Sequence, residues 1–397
     1  MPKSAQLVSQ FTESVIRRST VWSIQNGAVN LSQGFPDDET PKELKEAAVN
    51  AILENRNQYS DTWGTEQFRQ AIADKVNSLY GLNVNGKENV TVTCGATEAM
   101  MASLLAVVNP GDEVIMFEPT YENFRPHCFI ARAEPVLVPL RGPNYDLDQE
   151  ALNDAFNEKT AAIIINNPNN PSGKVFTREE LMFIAKLCQE HDAVAISDEV
   201  YEFMVFDGRQ HICLGSLDDF QDRWIVVSSC SKSYFITGWR IGYAISKIEF
   251  TNGIRRCHDF LSGVAPTPFQ DAAAIAIRFD QDYYDWLLIH YTAKRKLLVD
   301  ILNSANLTCS LPQGAYYVLA DMSAYDFSDS VEFCDYLMKE IGVAAVPWPS
   351  FYSRPELGKY RLRFTFSKTV EAIQRAEGRL KALSGAPARK TAPRTER

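Results

Sequence analysis

The chain has 397 residues, of which 45% are hydrophobic and 23% charged, a composition typical of a globular protein long enough for two domains. Its 40 basic and 50 acidic residues give a net charge of −10, which argues against nucleic acid as a partner. No apolar segment approaches the roughly 20 residues that span a bilayer, and the N-terminus lacks the apolar core of a signal peptide. Eight scattered cysteines and five unclustered histidines predict buried thiols in a reducing cytoplasm and no metal site.

Apolar periodicity predicts an amphipathic helix up to about Asn26, followed by a short strand that ends in a turn at 34–37. Helices are predicted next at 41–53 and 66–79. They are followed by a strand at 89–94 and by a helix that ends at about residue 107. From there short apolar strands alternate with helices; strands are predicted at 114–117, 134–138, 161–166, 193–197, 224–228 and 242–245, and helices at 121–128, 147–156 and 178–191. This alternation predicts an α/β fold whose mostly parallel, doubly wound sheet is covered on both faces.

The last third of the chain has a different pattern. Helices at 267–278 and 282–303 are followed by shorter strands at 315–319 and 360–364, with helices at 331–341 and 369–383. We therefore predict a large domain over 44–290 and a smaller α+β domain formed by 1–43 and 291–385. The Pro- and charge-rich tail, 386–397, is predicted to be disordered.

Residues 228–242 carry the clearest chemical pattern in the chain. Lys232 lies among small hydroxyl residues directly after the apolar run 224–227. Burying an ammonium group is costly, but the same desolvation lowers its pKa and suits a lysine that must act as a nucleophile. Ser229 and Arg240 add a hydroxyl and a guanidinium to this stretch. The alternative interpretation is a surface lysine at a strand end, and the rest of the chain decides between the two.

Other predicted strand ends carry matching groups, at the edge where doubly wound sheets bind ligands. Ala96 and Thr97 begin a helix after a strand, which suits a phosphate but also a simple helix cap. Asn170 lies in a segment rich in turn formers, and Asp198 follows a buried strand, where a carboxylate needs a cationic partner or a role. An amine, an acid and a phosphate cradle together fit pyridoxal 5′-phosphate, which has an aldehyde, a basic ring nitrogen and one phosphate.

With these motifs the sequence resembles the fold-type-I, class I/II aminotransferases, in the branch with kynurenine, methionine and glutamine aminotransferases. The matching segments occur in family order from about residue 8 to 385, and they are 30–37 (NLSQGFPD), 57–59 (NQY), 169–173 (NNPSG), 197–201 (SDEVY), 231–232 (SK), 237–242 (TGWRIG) and 363–364 (RF). The resemblance implies transfer of an amino group between an L-amino acid and a 2-oxo acid. It also implies a homodimer with shared active sites.

The resemblance further implies a role for each matching residue. Lys232 holds the cofactor as an internal aldimine and shuttles a proton, and Asp198 pairs with the pyridinium nitrogen. Tyr201 and Asn170 hydrogen-bond the ring hydroxyl oxygen. Tyr121 stacks on the cofactor ring. The phosphate is held by Ala96, Thr97, Ser229 and Arg240, together with Tyr59 from the neighbouring subunit. The substrate α-carboxylate is bound by Arg363, with help from Asn170 and the Gly34 backbone.

Several alternatives stay open at this point. Tyr59 and Tyr121 also suit core positions, and Arg361 falls on the same face of its strand as Arg363. Asp38 replaces an aromatic residue usual in the family, so it either faces the substrate entrance and favours a cationic side chain or points to solvent. Trp348, where the family has a small residue, is expected to narrow the pocket.

Two other functions compete with transamination. The first is a pyridoxal-phosphate lyase or cyclase that acts on an arginine-like amino acid in a specialised pathway, because one scaffold can support several fates of the same carbanion. The second is a transcriptional regulator with an aminotransferase-like sensor domain. The regulator is disfavoured because only about thirty residues precede Gly34 and the overall charge is acidic.

Overall fold

A computed structural model describes residues 5–11 and 13–387. Its strands are β1 Val29–Asn30, β2 Val90–Thr93, β3 Glu113–Glu118, β4 Glu134–Pro139, β5 Thr160–Asn166, β6 Val194–Asp198, β7 Trp224–Ser229, β8 Gly242–Ser246, β9 Thr308–Cys309, β10 Tyr317–Asp321, β11 Val343–Ala344, β12 Val346–Pro347 and β13 Arg361–Thr365. Its α-helices are α1 Val15–Gln25, α2 Lys42–Leu53, α3 Glu66–Tyr80, α4 Gly86–Asn89, α5 Ala96–Val107, α6 Phe124–Ile130, α7 Gln149–Ala155, α8 Arg178–Glu190, α9 Ile248–Leu261, α10 Thr267–Ala276, α11 Gln281–Ser304, α12 Ser330–Tyr336 and α13 Val370–Leu380.

Within the described residues, a seven-stranded sheet with the order β2-β8-β7-β6-β5-β3-β4 forms the centre of the molecule. Strands β7, β6, β5, β3 and β4 pair in parallel, while β8 runs antiparallel to both β2 and β7. The central strands β6 and β7 are buried along their whole length, as expected for continuous apolar strands covered by helices on both faces. The predicted α/β architecture with a mostly parallel sheet is confirmed.

A smaller antiparallel sheet, with the order β12-β13-β10-β9, contains the strands of the last third of the chain. The N-terminal segment joins this region through β1, which pairs in parallel with β11 at Val29 and Val343. That pairing agrees with a small domain built from both ends of the chain, although the domain limits themselves stay a prediction. Ala386 is buried, and the Pro387 carbonyl accepts a hydrogen bond from the Asp326 N–H at 2.9 Å. The rest of the predicted disordered tail, 388–397, lies outside the described residues.

The N-terminal helix is shorter than predicted. A 3₁₀ turn at Gln6–Gln10 comes first, and α1 begins only after Ser14, whose hydroxyl accepts from the Arg17 N–H as its cap. Helix α9 has no counterpart among the predicted helices. Across 5–11 and 13–387, no helix is long and apolar enough to cross a membrane.

The strand order brings several chain segments to one edge of the large sheet. Asn166 and Asp198 are register partners at the carboxyl ends of β5 and β6. Gly242, at the start of β8, pairs with both Ser229 at the end of β7 and Thr93 at the end of β2. The segments after β2, β5, β6 and β7 therefore converge at this edge, where open α/β sheets place their ligand sites.

Candidate active site

A cavity of about 390 Å³ opens at this edge of the sheet. Most of the predicted site residues line it, namely Gly34, Ala96, Thr97, Tyr121, Asn170, Asp198, Tyr201, Ser229, Lys232, Arg240 and Arg363. Tyr59 and Asp38 do not. Segments that are distant in sequence thus form one pocket.

Lys232 follows β7 and extends into the cavity. Its Nζ donates to the Gly34 carbonyl at 3.1 Å and lies 5.9 Å and 5.8 Å from the ring centres of Tyr201 and Tyr316. Burial lowers the pKa of Lys232 to about 8. The negative charge of Asp198 opposes this shift, and the positive charge of Arg240 adds to it. At pH 7 about a tenth of this amine is therefore uncharged, far more than for an unperturbed lysine, and this fraction is available as a nucleophile or base.

Asp198 ends β6 and is 8% exposed. One of its oxygens accepts from the Val200 N–H at 3.3 Å, and among the described residues no cationic side chain forms a salt bridge with it. Burial raises its pKa to about 7, although the Val200 hydrogen bond and the charge of Lys232 oppose this rise. A buried carboxylate without a bound counter-charge fits a ligand that brings a cation, such as a protonated ring nitrogen.

The N-terminus of α5 forms an anion cradle. Its N-cap is Gly95, at φ +83°, and no side chain caps the first turn, so the N–H groups there stay available for an anion. Arg240 lies across this end, donating to the carbonyls of Thr237 at 3.0 Å and Cys94 at 3.4 Å. The φ of +83° at Gly95 favours glycine, and a Cβ there would also displace the Arg240 guanidinium. The Thr97 and Ser229 hydroxyls complete a cradle suited to a phosphate.

Arg363 is fully buried at the opposite wall of the site. Its Nη1 donates to Asn170 Oδ1 at 2.9 Å and its Nη2 to the Ser32 carbonyl at 2.7 Å, while its Nε has no partner in the described structure. The guanidinium lies between the rings of Tyr317 and Phe351, 4.3 Å and 4.9 Å from their centres. A planar, immobilised fork with a free donor suits a carboxylate.

Arg361, the alternative to Arg363, does not line this cavity. It donates to the Tyr145 hydroxyl at 3.2 Å and lines a second cavity of about 370 Å³ between β13 and the loop after β4. Both arginines are on the same face of β13, as strand alternation predicts, so their position along the strand separates them.

Two tyrosines complete the wall around the amine. The Tyr201 hydroxyl lies 3.0 Å from that of Tyr317, and its ring packs edge-on against Tyr316 at 5.0 Å. Tyr121 lines the cavity, and burial raises its pKa above the usual value. The interpretation of Tyr121 as a core residue is not needed, since its ring faces the pocket.

Asp38 requires a correction. Its carboxylate accepts from Lys294 Nζ at 2.7 Å and from His290 Nε2 at 3.0 Å, in a cluster on α11. Burial alone would raise its pKa, but the hydrogen bonds from His290 and Lys294 outweigh burial and lower it. Asp38 therefore neither faces a substrate nor points to solvent, and it gives no support to a cationic substrate.

Trp348 and Tyr59 also depart from a simple pocket assignment. Trp348 is fully buried against Tyr145, Phe351 and Tyr352, outside the cavity, so the expectation that it narrows the pocket is wrong. Tyr59 is 87% exposed and is not brought to this chain's cavity. That exposure excludes the core interpretation.

Several lining residues had not been predicted. Tyr317 could have been found, because it lies two positions from Leu319, the register partner of Arg363 on β13, and so shares the face of Arg363. Ser14, Arg17, Glu122 and His127 line the cavity from α1 and the start of α6, and no local pattern marks them. Tertiary packing brings these two segments together, and the Ser14 hydroxyl donates to Glu122 Oε1 at 2.6 Å between them.

The donors and acceptors present fit pyridoxal 5′-phosphate. The cavity offers an amine with a lowered pKa, a buried acid without a bound cation and an uncapped helix N-terminus with a guanidinium beside it. Within the described residues no group of histidine, cysteine and acidic side chains could hold a metal ion.

Comparison with known proteins gives a consistent result. The family model for aminotransferase class I and II matches residues 26–380. Methionine aminotransferase of Escherichia coli is 34% identical over 94% of this chain and 97% of its own length, and human kynurenine–oxoglutarate transaminase 1 is 33% identical over 90% and 92%. The solved structure of N-succinyldiaminopimelate aminotransferase from Mycobacterium tuberculosis has a TM-score of 0.93 and 36% identity, covering 96% of this chain and all of that one.

Proposed function

Because this chain belongs to the aminotransferase class I and II family, we propose that its cavity is the active site and that the residues lining it carry out amino-group transfer. Family membership makes the protein a pyridoxal-phosphate-dependent transferase that moves an amino group between an amino acid and a 2-oxo acid. It also confirms the fold as type I. The roles of the individual side chains belong to the proposal.

One observation carries the proposal. Lys232, Asp198 and Arg363 come from three different strands or strand ends, yet they line one cavity, and each has a property that an isolated structural role does not explain. The amine has a lowered pKa, the acid has no bound cation, and the guanidinium keeps an unpaired Nε. The charge or hydrogen-bonding capacity of these three groups is only partly used within the described chain, and their convergence on one cavity supports a ligand that pairs with all three.

Arg363 is assigned to the α-carboxylate of the substrate. Asn170 Oδ1 and the Ser32 carbonyl hold two of its nitrogens, so the guanidinium plane is fixed before a substrate arrives. A carboxylate that meets the fork side-on forms two charge-assisted hydrogen bonds. The substrate Cα is then held near Lys232, which lies beside the Gly34 carbonyl.

Lys232 is assigned to proton transfer. Pyridoxal 5′-phosphate, when bound, supplies the aldehyde that takes the amino group and a ring that accepts the electrons released at Cα. Uncharged Lys232 Nζ accepts the Cα proton and holds it during the transfer. Asp198 provides a negative charge for the protonated ring nitrogen, and Tyr201 and Asn170 donate hydrogen bonds to the ring oxygen.

The remaining lining residues are assigned to the phosphate and the ring. The N–H groups of Ala96 and Thr97, the hydroxyls of Thr97 and Ser229 and the Arg240 guanidinium surround the place for the phosphate at the start of α5. Tyr121 is assigned to stacking on the ring. These contacts orient the cofactor and leave the chemistry to Lys232.

We further propose that the protein is a cytoplasmic homodimer of amino acid metabolism and biosynthesis. Exposed Tyr59 is assigned to the partner's phosphate site, in keeping with the 87% exposure of its side chain. The adjoining helices α2 and α10 also expose apolar side chains, including Ile52, Leu53 and Ile275, that a second copy can cover. Eight free cysteines suit a reducing compartment.

The lyase or cyclase alternative is not carried forward. Its arginine-like substrate depended on Asp38 as a contact for a cationic side chain, and Asp38 is instead bound to Lys294 and His290. The three relatives are named as aminotransferases or transaminases.

A half-reaction tests the proposal. Purified holoenzyme is mixed with one amino acid and no 2-oxo acid, and both the absorption spectrum and the 2-oxo acid released are followed. We expect one turnover per site, then a restart when a 2-oxo acid is added. Continued turnover without an acceptor would contradict transamination. Lys232→Ala should lose the near-visible absorption band and activity, by up to about 10⁴-fold for a lost proton-transfer group, whereas Lys42→Ala, at an exposed surface lysine, should retain both.

A further inference from the structure

We propose that His258 is a positioning residue for the cofactor phosphate. As an imidazolium it cancels the negative charge of Glu98 beside the phosphate cradle and fixes the backbone that leads into the cradle. This inference rests on the proposed function, which places the phosphate at the start of α5. It deepens that function by giving a role to a buried ion pair that is not among the groups lining the cavity.

Glu98 puts a negative charge close to the place assigned to the phosphate. It lies in the first turn of α5, and its side chain is 10% exposed. Its Oε2 accepts from the Cys94 N–H at 2.5 Å, and its Oε1 accepts from the Ser262 hydroxyl at 2.6 Å. Burial alone would raise the pKa of Glu98, but the hydrogen bonds from His258, Ser262 and Cys94 lower it. The group is therefore a carboxylate at neutral pH, and without a counter-charge it would repel a phosphate at the same helix end.

His258, on α9, supplies that counter-charge. Its side chain is fully buried, with Nδ1 2.7 Å from Glu98 Oε1 and Nε2 2.8 Å from the Thr62 carbonyl oxygen. A carboxylate and a carbonyl oxygen can only accept, so both ring nitrogens must carry a hydrogen and the ring is an imidazolium. Burial alone would lower the pKa of His258, but the hydrogen bond and charge of Glu98 outweigh burial and raise it, and the charge of Asp259 acts in the same direction.

The ion pair also fixes the backbone at the entrance to α5. Cys94 directly precedes Gly95, the N-cap of this helix. The Cys94 N–H donates to Glu98, and its carbonyl accepts from Arg240 Nη2 at 3.4 Å. Both backbone polar groups of Cys94 are thus bound to side chains of the cradle. A shift of Glu98 would therefore move the donors assigned to the phosphate.

The second partner of His258 belongs to the segment that carries Tyr59. Thr62 lies three positions after Tyr59, and the same segment is held to α10 by the Thr267 hydroxyl, which donates to the Gln58 carbonyl at 2.8 Å. Because Tyr59 is assigned to the phosphate site of the neighbouring subunit, one ring contacts the segments that serve both phosphates. A neutral imidazole has a single N–H and would give up one of these two contacts.

Ligand binding to the full-length apoprotein tests this role without turnover. Calorimetric titration compares pyridoxine 5′-phosphate with pyridoxine, which lack the aldehyde and so do not react with Lys232. We expect His258→Gln to weaken binding of the phosphate ester about tenfold or more, the effect of an uncompensated buried charge near an anion, and to change pyridoxine binding by less than about twofold. Glu98→Gln/His258→Gln, which removes both charges, should recover most of the loss. His290→Gln, in the ion pair with Asp38, should bind both ligands as wild type does.

The charge of the ring is measured separately, from the imidazole nitrogen resonances of the isotope-labelled apoprotein. We expect a ring that is protonated at both nitrogens at pH 7 and whose signals are missing in His258→Gln. A neutral His258 ring, equal losses for the two ligands, no loss for the phosphate ester, or no recovery in the double variant would each overturn the role of His258.

Arg240→Gln separates this inference from the proposed function. If Arg240→Gln loses affinity for the phosphate ester and His258→Gln does not, the role of His258 is refuted and the phosphate site stands. A wild type that binds pyridoxine and its phosphate ester equally well would refute the phosphate site, and the role of His258 with it.

Discussion

The two walls of the active-site cavity are built in different ways. At the sheet edge, Asp198 and Ser229 end buried parallel strands and Lys232 follows directly, so their positions are fixed by the ladder of β6 and β7. At the other wall, Arg17 and His127 come from short helices that are joined through the Ser14–Glu122 hydrogen bond. The contrast teaches that the side chains at the sheet edge are positioned by a continuous strand ladder, whereas those at the other wall depend on a contact between two helical segments.

Asp198 and Asp38 make the contrast explicit. Both carboxylates are largely buried, but Asp198 has no bound cation and its pKa is raised to about 7, mainly by burial. Asp38 is also subject to burial, yet hydrogen bonds from His290 and Lys294 lower its pKa. The acid left unpaired by its own chain is the one available to a ligand, whereas the paired acid joins the segment after β1 to α11.

Among the variants that compare Asp198 with Asp38 and Arg363 with Arg361, the largest effect is expected for removal of the negative charge of Asp198. Asp198→Asn keeps the side-chain shape but loses the negative charge, and we expect kcat to fall about 10²- to 10³-fold, the usual cost of losing one electrostatic contact to the reacting system. Asp38→Asn is the matched control, and its kcat should stay within about twofold of wild type. Similar kinetic losses in the two variants would remove the distinction between them.

A smaller effect is expected at the carboxylate fork. Arg363→Lys keeps the charge but loses the planar pair of donors, and one charge-assisted hydrogen bond is worth about 1.5–3 kcal/mol. We expect kcat/KM to fall about 10- to 100-fold. Arg361→Lys, at the second arginine on the same strand face, should leave kcat/KM unchanged. If the loss appears in Arg361→Lys instead, the assignment of the two arginines must be exchanged.

The smallest kinetic effect is expected for replacement of Asp38. The same replacement should have a measurable effect on stability. Asp38→Asn should lower the free energy of unfolding by about 1–3 kcal/mol, since it leaves Lys294 buried with a weaker partner. Because the folded pKa of Asp38 is depressed, its contribution is fully present above the unfolded value of about 3.9 and is lost as the pH falls through the folded value. Denaturant unfolding from pH 7 to pH 3 should therefore show the two proteins converging in acid; a difference that grows in acid would refute this account.

Prediction from local sequence succeeded where local rules decide the outcome. Continuous apolar runs identified strands β5, β6 and β7, and a Thr177–Glu180 capping box marks the start of α8. Helix α9 was missed, and Gly253 in its interior weakens the local helix pattern. That glycine lies against Ala106 of α5, where a Cβ would come within 3.1 Å of the alanine side chain, so tertiary packing provides its reason.

The sequence by itself placed Asp198, Ser229 and Lys232 at or just after the ends of predicted strands, because continuous apolar runs fix which side chain follows each strand, and it placed Arg240 in the stretch that leads to the next strand. The family resemblance favoured Arg363 over Arg361, whereas strand alternation could not separate them; the tertiary structure shows that the two arginines reach different cavities. It alone also decided the fate of Asp38, whose partner Lys294 is 256 residues away. Contacts over such separations are set by how helices and sheets pack, and local periodicity carries no information about them.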